Sequence, residues 1–225
     1  MKTVAIIGTN GLPAKYGGFE TLTNHLVENF DKSTHDIIVY CSKTPKKDRL
    51  EFYNGAKLVY FPFKANGWQS MIYDFLTIIH GFFKASDLII LGFSGAFAFP
   101  FNKIFKKNII FNIGGIEWEK VRGSKFTSKF EIGLKKYMEK LCVTNSNTVI
   151  IDNLYFKDYI VKRYGKTPVL AEYGGDHAKR IDVTTEMLEK FPFLNTDYAL
   201  SVSRAQEDMN IHLLIEAYKE VTEKR

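Results

Sequence analysis

The fold is decided by the stretch G-T-N-G-L-P-A-K-Y-G-G-F-E-T-L-T-N-H-L-V-E-N-F, which runs from Gly8 to Phe30. A short apolar run, Val4 to Ile7, precedes it, and apolar residues recur at helical spacing after Phe19. A strand, a glycine-rich loop and a helix in this order form a cradle for phosphate, because glycines let the backbone approach a ligand and N–H groups at a helix start attract anions. The alternative is that Gly8 and Gly11 only make the turn between strand and helix.

The loop does not have the dinucleotide fingerprint of a dehydrogenase. Gly8 to Pro13 does not match G-x-G-x-x-G, and the loop is too long for the tight first turn of that fold. The second predicted strand ends in Tyr40-Cys41-Ser42, without the acidic residue that would bind a ribose. These two departures disfavour a nucleotide-dependent oxidoreductase.

The loop resembles the first loop of retaining glycosyltransferases of family 4, which have the GT-B fold. Gly17-Gly18-Phe19-Glu20 fits the G-G-x-E element of that family. The longer string G-T-x-G-x-P-A-x-Y-G-G-F-E-T resembles one subgroup, the rhamnosyltransferase-like enzymes of bacterial polysaccharide synthesis. The resemblance extends from Lys2 to about Tyr218. It implies a retaining enzyme that moves a sugar, rhamnose in this subgroup, from a nucleotide diphosphate to a lipid-linked saccharide.

The composition is that of a soluble globular protein, with 225 residues, 45% hydrophobic and 25% charged. The aromatic share of 15% indicates a bulky core, an aromatic-lined groove, or both. Cys41 and Cys142 stand beside apolar runs without C-x-x-C spacing, so we expect reduced core thiols in a cytosolic protein, with a disulfide as the alternative. No cluster of Cys and His has metal-ligand spacing.

The net charge of +6 is concentrated in one part of the chain. From Asn102 to Leu141 there are ten Lys or Arg against four Asp or Glu, a difference of six that equals the whole excess. Such a surface suits phosphates, an acidic membrane or nucleic acid, and the alternative is a solvated lysine-rich helix. Because no nucleic-acid-binding motif is present, we expect no nucleic acid among the partners.

No segment of the sequence predicts a transmembrane helix. The apolar run at Met1 to Ile7 is too short for a signal peptide and leads straight into a polar glycine loop. The run from Leu88 to Phe101 is interrupted by glycines, a serine and a proline, and falls short of the roughly 20 residues that span a bilayer. Any membrane contact is therefore expected to be peripheral, on the inner face of the plasma membrane.

Apolar runs alternate with helical patterns along the chain, which predicts an α/β fold with a Rossmann-like parallel sheet flanked by helices. The predicted strands are Val4–Ile7, Asp36–Cys41, Lys57–Phe61, Asp87–Leu91, Asn108–Asn112, Thr148–Asp152 and Val169–Ala171. A new strand, Tyr198–Val202, and a new helix, Asn210–Lys224, then begin a second series. By resemblance this is the N-terminal half of a GT-B fold followed by the first β-α unit of a truncated second Rossmann-like domain.

The predicted domains are an acceptor-side domain at 1–175, a linker at 176–196 and the start of a donor-binding domain at 197–225. A lone strand and helix cannot enclose a core. We therefore expect the chain to be a fragment that is inactive by itself. The alternative is that the last unit packs back onto the first domain.

The predicted site lies beyond the carboxyl ends of the strands, where the loops after the first, fourth and fifth predicted strands converge. The segment from Asn112 to Lys120 resembles the N-x-D-G-x-E-W-K-R element of the subgroup, with Gly115, Glu117 and Trp118 matching. Gly114 stands where the subgroup usually has Asp. Glu117 is a candidate acceptor of sugar hydroxyls or catalytic base, and Trp118 could stack on a sugar ring. The alternative is that Trp118 is core and Glu117 caps the next helix.

The resemblance implies roles for the other candidates. Gly17, Gly18 and Arg204 would hold the donor diphosphate, and a guanidinium suits bidentate phosphate binding. Sugar or acceptor contacts fall to Glu20, Trp68, Gly115 and Trp118. Around Trp68, the neighbouring Asn66 and Ser70 are also candidate helix caps. The donor substrate is a nucleotide sugar, and no metal or organic cofactor is expected.

A basic amphipathic helix is predicted from Ser124 to Cys142. Its apolar side is formed by Phe126, Phe130, Leu134, Tyr137, Met138 and Leu141. Such a helix can lie on an anionic membrane, which would suit an enzyme with a lipid-linked acceptor. The alternative is an ordinary helix whose apolar side packs on the sheet and whose lysines are solvated. The alternative to the enzyme as a whole is a non-catalytic sugar- or nucleotide-binding or scaffold protein on the same fold.

Overall fold

The computed structural model describes residues 1–15, 17–116, 118, 128–175, 178–203 and 209–223. The chain divides into two compact units, Met1–Tyr173 and Gly174–Arg225. The division falls at a turn-rich, glycine-containing stretch, where few side chains are available to continue a core.

The first unit contains one sheet of eight strands in the described residues. The strands are β1 (Lys2–Ile7), β2 (His35–Cys41), β3 (Phe52–Tyr53), β4 (Ala56–Tyr60), β5 (Asp87–Leu91), β6 (Asn108–Asn112), β7 (Thr148–Ile151) and β8 (Val169–Leu170). Their order is β3-β4-β2-β1-β5-β6-β7-β8, and every neighbouring pair is parallel except β3 and β4. The predicted Rossmann-like parallel sheet is confirmed.

Helices connect the parallel strands. They are α1 (Gly18–Asn29), α2 (Gln69–Lys84), α3 (Asn102–Phe105), α4 (Lys129–Asn145) and α5 (Tyr155–Tyr164), with α6 (Thr185–Lys190) and α7 (Ile211–Glu223) in the second unit. A 3₁₀ helix, Ala96–Phe101, leads into α3. The spacing of apolar residues predicts helices from Phe19 to Phe30, Ser70 to Lys84, Asn153 to Tyr164 and Asn210 to Lys224. Helices α1, α2, α5 and α7 match these to within a few residues.

The short strand β3 was not predicted from the sequence. It forms a hairpin with β4 around Asn54 and Gly55, whose φ angles of 45° and 81° are those of a tight hairpin turn. The Asn-Gly pair was the available signal. It is easily missed because a two-residue strand has almost no hydrophobic pattern.

Each face of the sheet has its own core. On one face, α2, α4 and α5 enclose a cluster that includes Phe82, Phe99, Phe111 and Cys142. On the other face, α1 covers a smaller cluster around Val27 and Val39. Both cysteines, Cys41 and Cys142, are buried free thiols. Burial raises the pKa of the Cys41 thiol to about 11, which leaves it protonated at neutral pH.

Helix α4 differs from its prediction in which residues face the sheet. Ser128 caps it, accepting a hydrogen bond from the Glu131 N–H, and residues 124–127 of the predicted helix lie outside the described residues. Leu134 packs on the core as predicted. Met138 is in the core and Leu141 packs against it, also from the predicted apolar side. Phe130 and Tyr137 of that side are exposed, because the buried stripe is centred on Met138 and Cys142.

The second unit contains helices α6 and α7 and no strand in its described part. Residues 198–202, predicted as a strand, are exposed and unpaired here. A single strand has no backbone partner, so its N–H and C=O groups go to water unless another strand adjoins it. In the part of the chain that the structure describes, no helix is both long and apolar enough to cross a bilayer.

Candidate functional site

The strand order reverses at β1, whose neighbours are β2 on one side and β5 on the other. In open parallel sheets this switch point is where the loops separate and a ligand can enter. Gly8 follows β1 with a φ of 96°, and a Cβ there would lie 2.0 Å from the Leu91 carbonyl oxygen at the end of β5. The first loop therefore meets the end of β5 backbone to backbone, as the sequence predicted.

The side chain of Phe19 joins three loops at the switch point. A Cβ at Gly92 would be 3.5 Å from the Phe19 ring, and a Cβ at Gly114 would be 2.8 Å from it. The loops after β1, β5 and β6 thus converge as predicted. Gly114, where the subgroup usually has Asp, has a φ of 62° and leaves room for the aromatic ring. A larger residue at position 114 would collide with the Phe19 ring, which explains the glycine there.

The G-G-x-E element is a structural brace. Glu20 is only 6% exposed, and its Oε1 accepts hydrogen bonds from the Asn10 backbone N–H and Nδ2, both at 2.8 Å. A Cβ at Gly17, where φ is 118°, would lie 2.0 Å from Glu20 Oε2. Gly17 is therefore required so that the carboxylate can fold back beneath the loop and hold Asn10.

Helix α2 supports the same loop from the other side. Asn66, just before the helix, donates from Nδ2 to Asn10 Oδ1 at 3.2 Å. The Tyr73 hydroxyl donates to the Thr9 carbonyl at 3.1 Å, and Tyr73 is fully buried. The loop is thus held by its own helix and by α2.

Gly18 differs from the other glycines of the loop. It is the first residue of α1, it is exposed, and a Cβ there would have nothing within 4 Å. The helix begins without a side-chain cap, so its first N–H groups have no side-chain acceptor in the described structure. A helix start of this kind, open to solvent, favours an anionic group.

A narrow pocket of about 340 Å³ lies beside the first loop, at the ends of β1, β2 and β4. Its walls combine hydroxyl, amide and charged side chains with the ring of Tyr60. The lining residues are Asn10, Gly11, Leu12, Pro13, Lys15, Glu20, Cys41, Ser42, Thr44, Asp48, Tyr60 and Asn66. Of the predicted site residues that the structure describes, only Glu20 lines this pocket, and its carboxylate already accepts hydrogen bonds from Asn10.

A wide cleft of about 720 Å³ opens at the ends of β6, β7 and β8. Its lining residues are Gly114, Gly115, Ile116, Asp152, Asn153, Leu154, Phe156, Glu172 and Tyr173. Among the described residues, the set contains two carboxylates, one amide and two aromatic rings, and no cationic side chain. Among the predicted site residues, Gly115 belongs to this cleft, with a φ of 141°.

Asp152 and Tyr173 are the polar groups of the wide cleft whose surroundings stand out. Asp152 Oδ1 is shielded from solvent and has no hydrogen-bond partner in the described structure. Burial raises the pKa of the Tyr173 hydroxyl, and the nearby Asp152 carboxylate adds to the rise. A carboxylate oxygen beside a tyrosine hydroxyl can accept hydrogen bonds from the hydroxyls of a sugar.

Trp118 is part of the interior. It is 7% exposed, its indole N–H donates to the Tyr159 hydroxyl at 3.0 Å, and that hydroxyl donates to Glu139 at 2.5 Å. Lys136 Nζ lies 4.2 Å from the ring centre. A sugar could stack on this ring only if Lys136 moved away. The geometry is that of the core alternative considered from the sequence.

Trp68 is a predicted site residue that joins neither cavity. It is the N-cap residue of α2, it is exposed, and it lines neither the narrow pocket nor the wide cleft. Glu117 and Arg204 lie outside the described residues. Glu172 was not selected from the sequence. Its only signal was its place just after the last strand of the sheet.

A second aspartate, Asp74 on α2, is buried beneath the loop after β5. Asp74 is 6% exposed, and its Oδ1 has no partner in the described structure. A Cβ added at Gly95 would lie 3.0 Å from the Asp74 Cβ. Burial raises its pKa to about 7, although a hydrogen bond with Ser94 opposes the rise. In the part of the chain that is described, no group of three or more His, Cys, Asp or Glu could hold a metal ion.

Comparisons with known proteins agree with the fold. A family model described as a domain of unknown function (DUF1972) matches residues 1–176. No curated protein matches the sequence. Among solved structures, sucrose-phosphate synthase from Thermosynechococcus elongatus is similar with a TM-score of 0.60 at 13% identity, over 77% of this chain and 48% of that one. A shorter chain of the same synthase gives a TM-score of 0.50 at 10% identity, over 78% of this chain and 91% of that one.

The structural likeness confirms the predicted fold, a Rossmann-like domain of the GT-B type. At 13% identity it concerns the fold alone. The chain spans about half the length of the longer synthase chain that it matches.

Proposed function

This chain belongs to the DUF1972 family, and we propose that it is the acceptor-side part of a GT-B glycosyltransferase. The observation that carries the proposal is the wide cleft at the carboxyl ends of β6–β8. Its described lining consists of two carboxylates, an amide and two aromatic rings among apolar and glycine residues, a composition that suits a neutral saccharide better than a phosphate. The fold, shared with a sugar-transferring synthase, supports the proposal by analogy.

The acceptor saccharide would bind in the wide cleft. Asp152 and Glu172 would accept hydrogen bonds from its hydroxyls, and Asn153 can both donate and accept. The rings of Phe156 and Tyr173 would cover the apolar faces of the sugar. Asp152 is the strongest candidate among these residues, because its Oδ1 lacks a partner in the described structure.

The donor diphosphate would lie at the start of α1, against Gly17 and Gly18. The N–H groups of the first turn favour an anion there, and the absence of a Cβ at Gly18 keeps the approach open. Glu20 lies in the same turn, but its carboxylate is turned inward and bonded to Asn10. Arg204 would add a bidentate phosphate contact, as the family resemblance implies.

The proposed reaction is a transfer with retention of configuration. The bond between the anomeric carbon and the donor diphosphate oxygen breaks, and an acceptor hydroxyl oxygen bonds to that carbon from the same face. The acceptor proton goes to the leaving diphosphate, so the protein's part is orientation and electrostatic stabilisation. No metal or organic cofactor enters this proposal, and Glu117 keeps its predicted role near the sugar or acceptor.

The finer assignment follows the sequence resemblance. We propose that the donor is a nucleotide sugar, with rhamnose as the transferred group, and that the acceptor is a lipid-linked saccharide of cell-surface polysaccharide synthesis. A lipid-linked acceptor requires the enzyme to work at a membrane surface. The strings G-G-F-E and N-x-x-G-x-E-W support this subgroup assignment.

The proposal is tested by hydrogen–deuterium exchange on this chain with two probes. A short-chain polyprenyl-diphosphate disaccharide should slow exchange at residues 114–116 and 152–156, and dTDP-rhamnose should slow it at residues 18–20. Matched samples with the free polyprenyl diphosphate separate the saccharide contribution from the phosphate contribution. Protection by the disaccharide outside the wide cleft, or none at all, would refute the assignment of the acceptor site.

A second candidate function is sugar binding without catalysis on the same fold. The composition of the wide cleft favours it, because carboxylates and aromatic rings suffice to hold a saccharide. The two functions differ in one measurable way. A binding protein would show the disaccharide protection while the complete gene product transferred no sugar to it.

A further inference from the structure

One helical layer of the first unit carries many exposed apolar side chains. We call their surface the outer helical face, formed by α2, the 3₁₀ helix at Ala96–Phe101, α3 and α4. Its exposed members are Trp68 (74%), Met71, Ile72, Phe83 (68%), Phe97, Phe101, Ile104 (75%), Phe130 (79%) and Tyr137 (52%). Exposed apolar residues in such number on one surface usually mark an interaction site.

The spacing of these residues places them on the outer sides of their helices. On α4, exposed positions recur at Phe130, Gly133, Tyr137 and Lys140, opposite the buried stripe that contains Met138. On α2, Ile72 and Phe83 lie on the side away from the buried Tyr73 and its neighbours. The Phe97 and Tyr137 rings are 6.5 Å apart, which joins the 3₁₀ helix to α4.

The same helices present lysines with little acidic charge near them. Residues 88–116 contain no Asp or Glu, whereas Lys103, Lys106 and Lys107 fall within them. On α4, Glu139 is buried and Glu131 is 3.8 Å from Lys135. The outer helical face is therefore both apolar and positively charged.

A fixed turn presents the most exposed part of this face. Asn102 Nδ2 donates to the Lys107 carbonyl at 2.9 Å, the Lys107 N–H donates to Asn102 Oδ1 at 2.8 Å, and Lys106 adopts a φ of 51°. Phe105 stacks on Phe82 with 5.0 Å between ring centres. These contacts hold the turn while Ile104 and two lysines project from it.

The opposite helical layer has no such character. The exposed positions of α1 include Thr21, His25, Glu28 and Asn29, all polar or charged. Both helical layers cover the same sheet, and packing on a sheet requires only that the side of a helix facing the sheet be apolar. The apolar outer side of α2, α3 and α4 is therefore not a requirement of the fold.

We propose that the outer helical face binds the surface of an anionic lipid bilayer. Aromatic and aliphatic side chains would enter the headgroup region while the surrounding lysines contact lipid phosphates. A second copy of this chain is a poorer occupant, because the lysines of two such faces would repel each other without acidic partners. The sequence predicted membrane contact through one basic helix, from Ser124 to Cys142. The surface proposed here is larger and includes α2, the 3₁₀ helix and α3 as well as α4.

The inference rests on the proposed function, which requires access to a lipid-linked saccharide. Helix α4 begins on the side of the sheet where the carboxyl ends of the strands lie, as does the wide cleft, and Phe130 is in its first turn. Binding through this face would lay the side of the domain on the bilayer, with Phe130 at the end that holds the cleft.

The test is co-sedimentation of the full 225-residue chain with vesicles. The probes are phosphatidylglycerol mixed with phosphatidylethanolamine, and phosphatidylcholine alone as the neutral control. We expect at least tenfold tighter binding to the anionic vesicles, weakened severalfold at 0.5 M salt. The double variant Ile104→Ser/Phe130→Ser should bind at least fivefold more weakly. Phe52→Ser is the matched control, because Phe52 is 57% exposed on β3, away from this face.

Several outcomes would overturn the proposal. They are equal binding to both vesicle types, wild-type binding by the double variant, or loss of binding in the Phe52→Ser control. A wild-type chain that sediments as a dimer, ignores vesicles and becomes a monomer in the double variant would assign the face to a second copy. Transfer to a water-soluble saccharide by the complete gene product tests the proposed function separately, since the double variant should leave it unchanged.

Discussion

The first loop and the wide cleft are built in opposite ways. At the first loop, Glu20 and Asn66 bond to Asn10, and the Tyr73 hydroxyl bonds to the Thr9 carbonyl. At the wide cleft, Asp152 Oδ1 is shielded from solvent without a partner in the described structure. We call these regions the braced end and the open end.

The difference indicates which of the two regions can bind a ligand through its side chains. A loop whose donors and acceptors already satisfy one another provides backbone geometry, and its side chains are not free to recognise anything. A cleft that contains an unpaired carboxylate oxygen can offer that oxygen to a ligand. The glutamate of the G-G-x-E element, a candidate sugar contact from the sequence, is part of the brace in this structure.

The two shielded aspartates illustrate the same contrast. Asp74 and Asp152 each have an Oδ1 without a partner in the described residues. Asp74 is deeply buried, and its pKa rises to about 7, so it avoids an unpaired charge by taking a proton. Asp152 lines a cleft that a ligand can enter.

The largest effect is expected from Gly8→Ala at the braced end. The new Cβ would lie 2.0 Å from the Leu91 carbonyl oxygen, at a φ that disfavours alanine. We expect a loss of about 4 kcal/mol or more in the free energy of unfolding, or failure to fold. Urea denaturation measures it. Gly18→Ala is the matched control and should leave stability unchanged or raise it by under about 1 kcal/mol.

The second effect concerns the pH dependence of stability. The pKa of Asp74 is higher in the folded protein, about 7, than its ordinary value of 3.8. The folded state therefore keeps the proton where the unfolded state loses it, so stability falls as pH rises from about 4 to about 7. Asp74→Asn should remove that loss, stabilising the protein at pH 8 by on the order of 4 kcal/mol and hardly at pH 3. A variant with the wild-type pH profile would contradict this.

A smaller effect is expected from Glu20→Ala. Two donors of Asn10 would lose a buried charged acceptor, and the free energy of unfolding should fall by about 3 kcal/mol. Glu28→Ala on the same helix is the control. Its exposed carboxylate bonds to Asn24, so its loss should cost no more than about 0.5 kcal/mol. Equal losses in the two variants would show that the brace does not exist.

The smallest effect on stability is expected at the open end. Asp152→Asn removes a charge that has no partner on Oδ1, and stability should change by less than about 1 kcal/mol. Affinity for a polyprenyl-diphosphate disaccharide should nevertheless fall at least tenfold, because a carboxylate accepts hydroxyl hydrogen bonds that an amide cannot replace in full. Isothermal titration calorimetry measures the ratio. Unchanged affinity would remove Asp152 from the acceptor site.

Much of the fold could be predicted from the sequence because the strands are apolar runs separated by helical patterns. The glycines at positions 8, 92 and 114 also predicted the convergence of three loops, since each follows a strand of a parallel sheet. The two-residue strand β3 escaped because it is too short to carry a pattern.

The site was less predictable because recognition depends on contacts between distant positions. The sequence suggested that Trp118 stacks on a sugar ring. In the structure its ring contacts Lys136 of α4, and its indole N–H bonds to Tyr159 of α5. Glu172 follows a two-residue strand and has no motif around it, so only the assembled sheet brings it to the cleft with Asp152.

The proposed glycosyltransferase activity is tested most directly by measuring sugar transfer with the complete gene product. The donors are a panel of nucleotide sugars that includes dTDP-rhamnose, and the acceptors are polyprenyl-diphosphate saccharides. We predict transfer of one sugar with retained configuration, and at least a tenfold loss in Asp152→Asn while the protein stays folded. A folded protein that binds the acceptor and nucleotide but transfers no sugar would contradict the account and establish a binding protein instead.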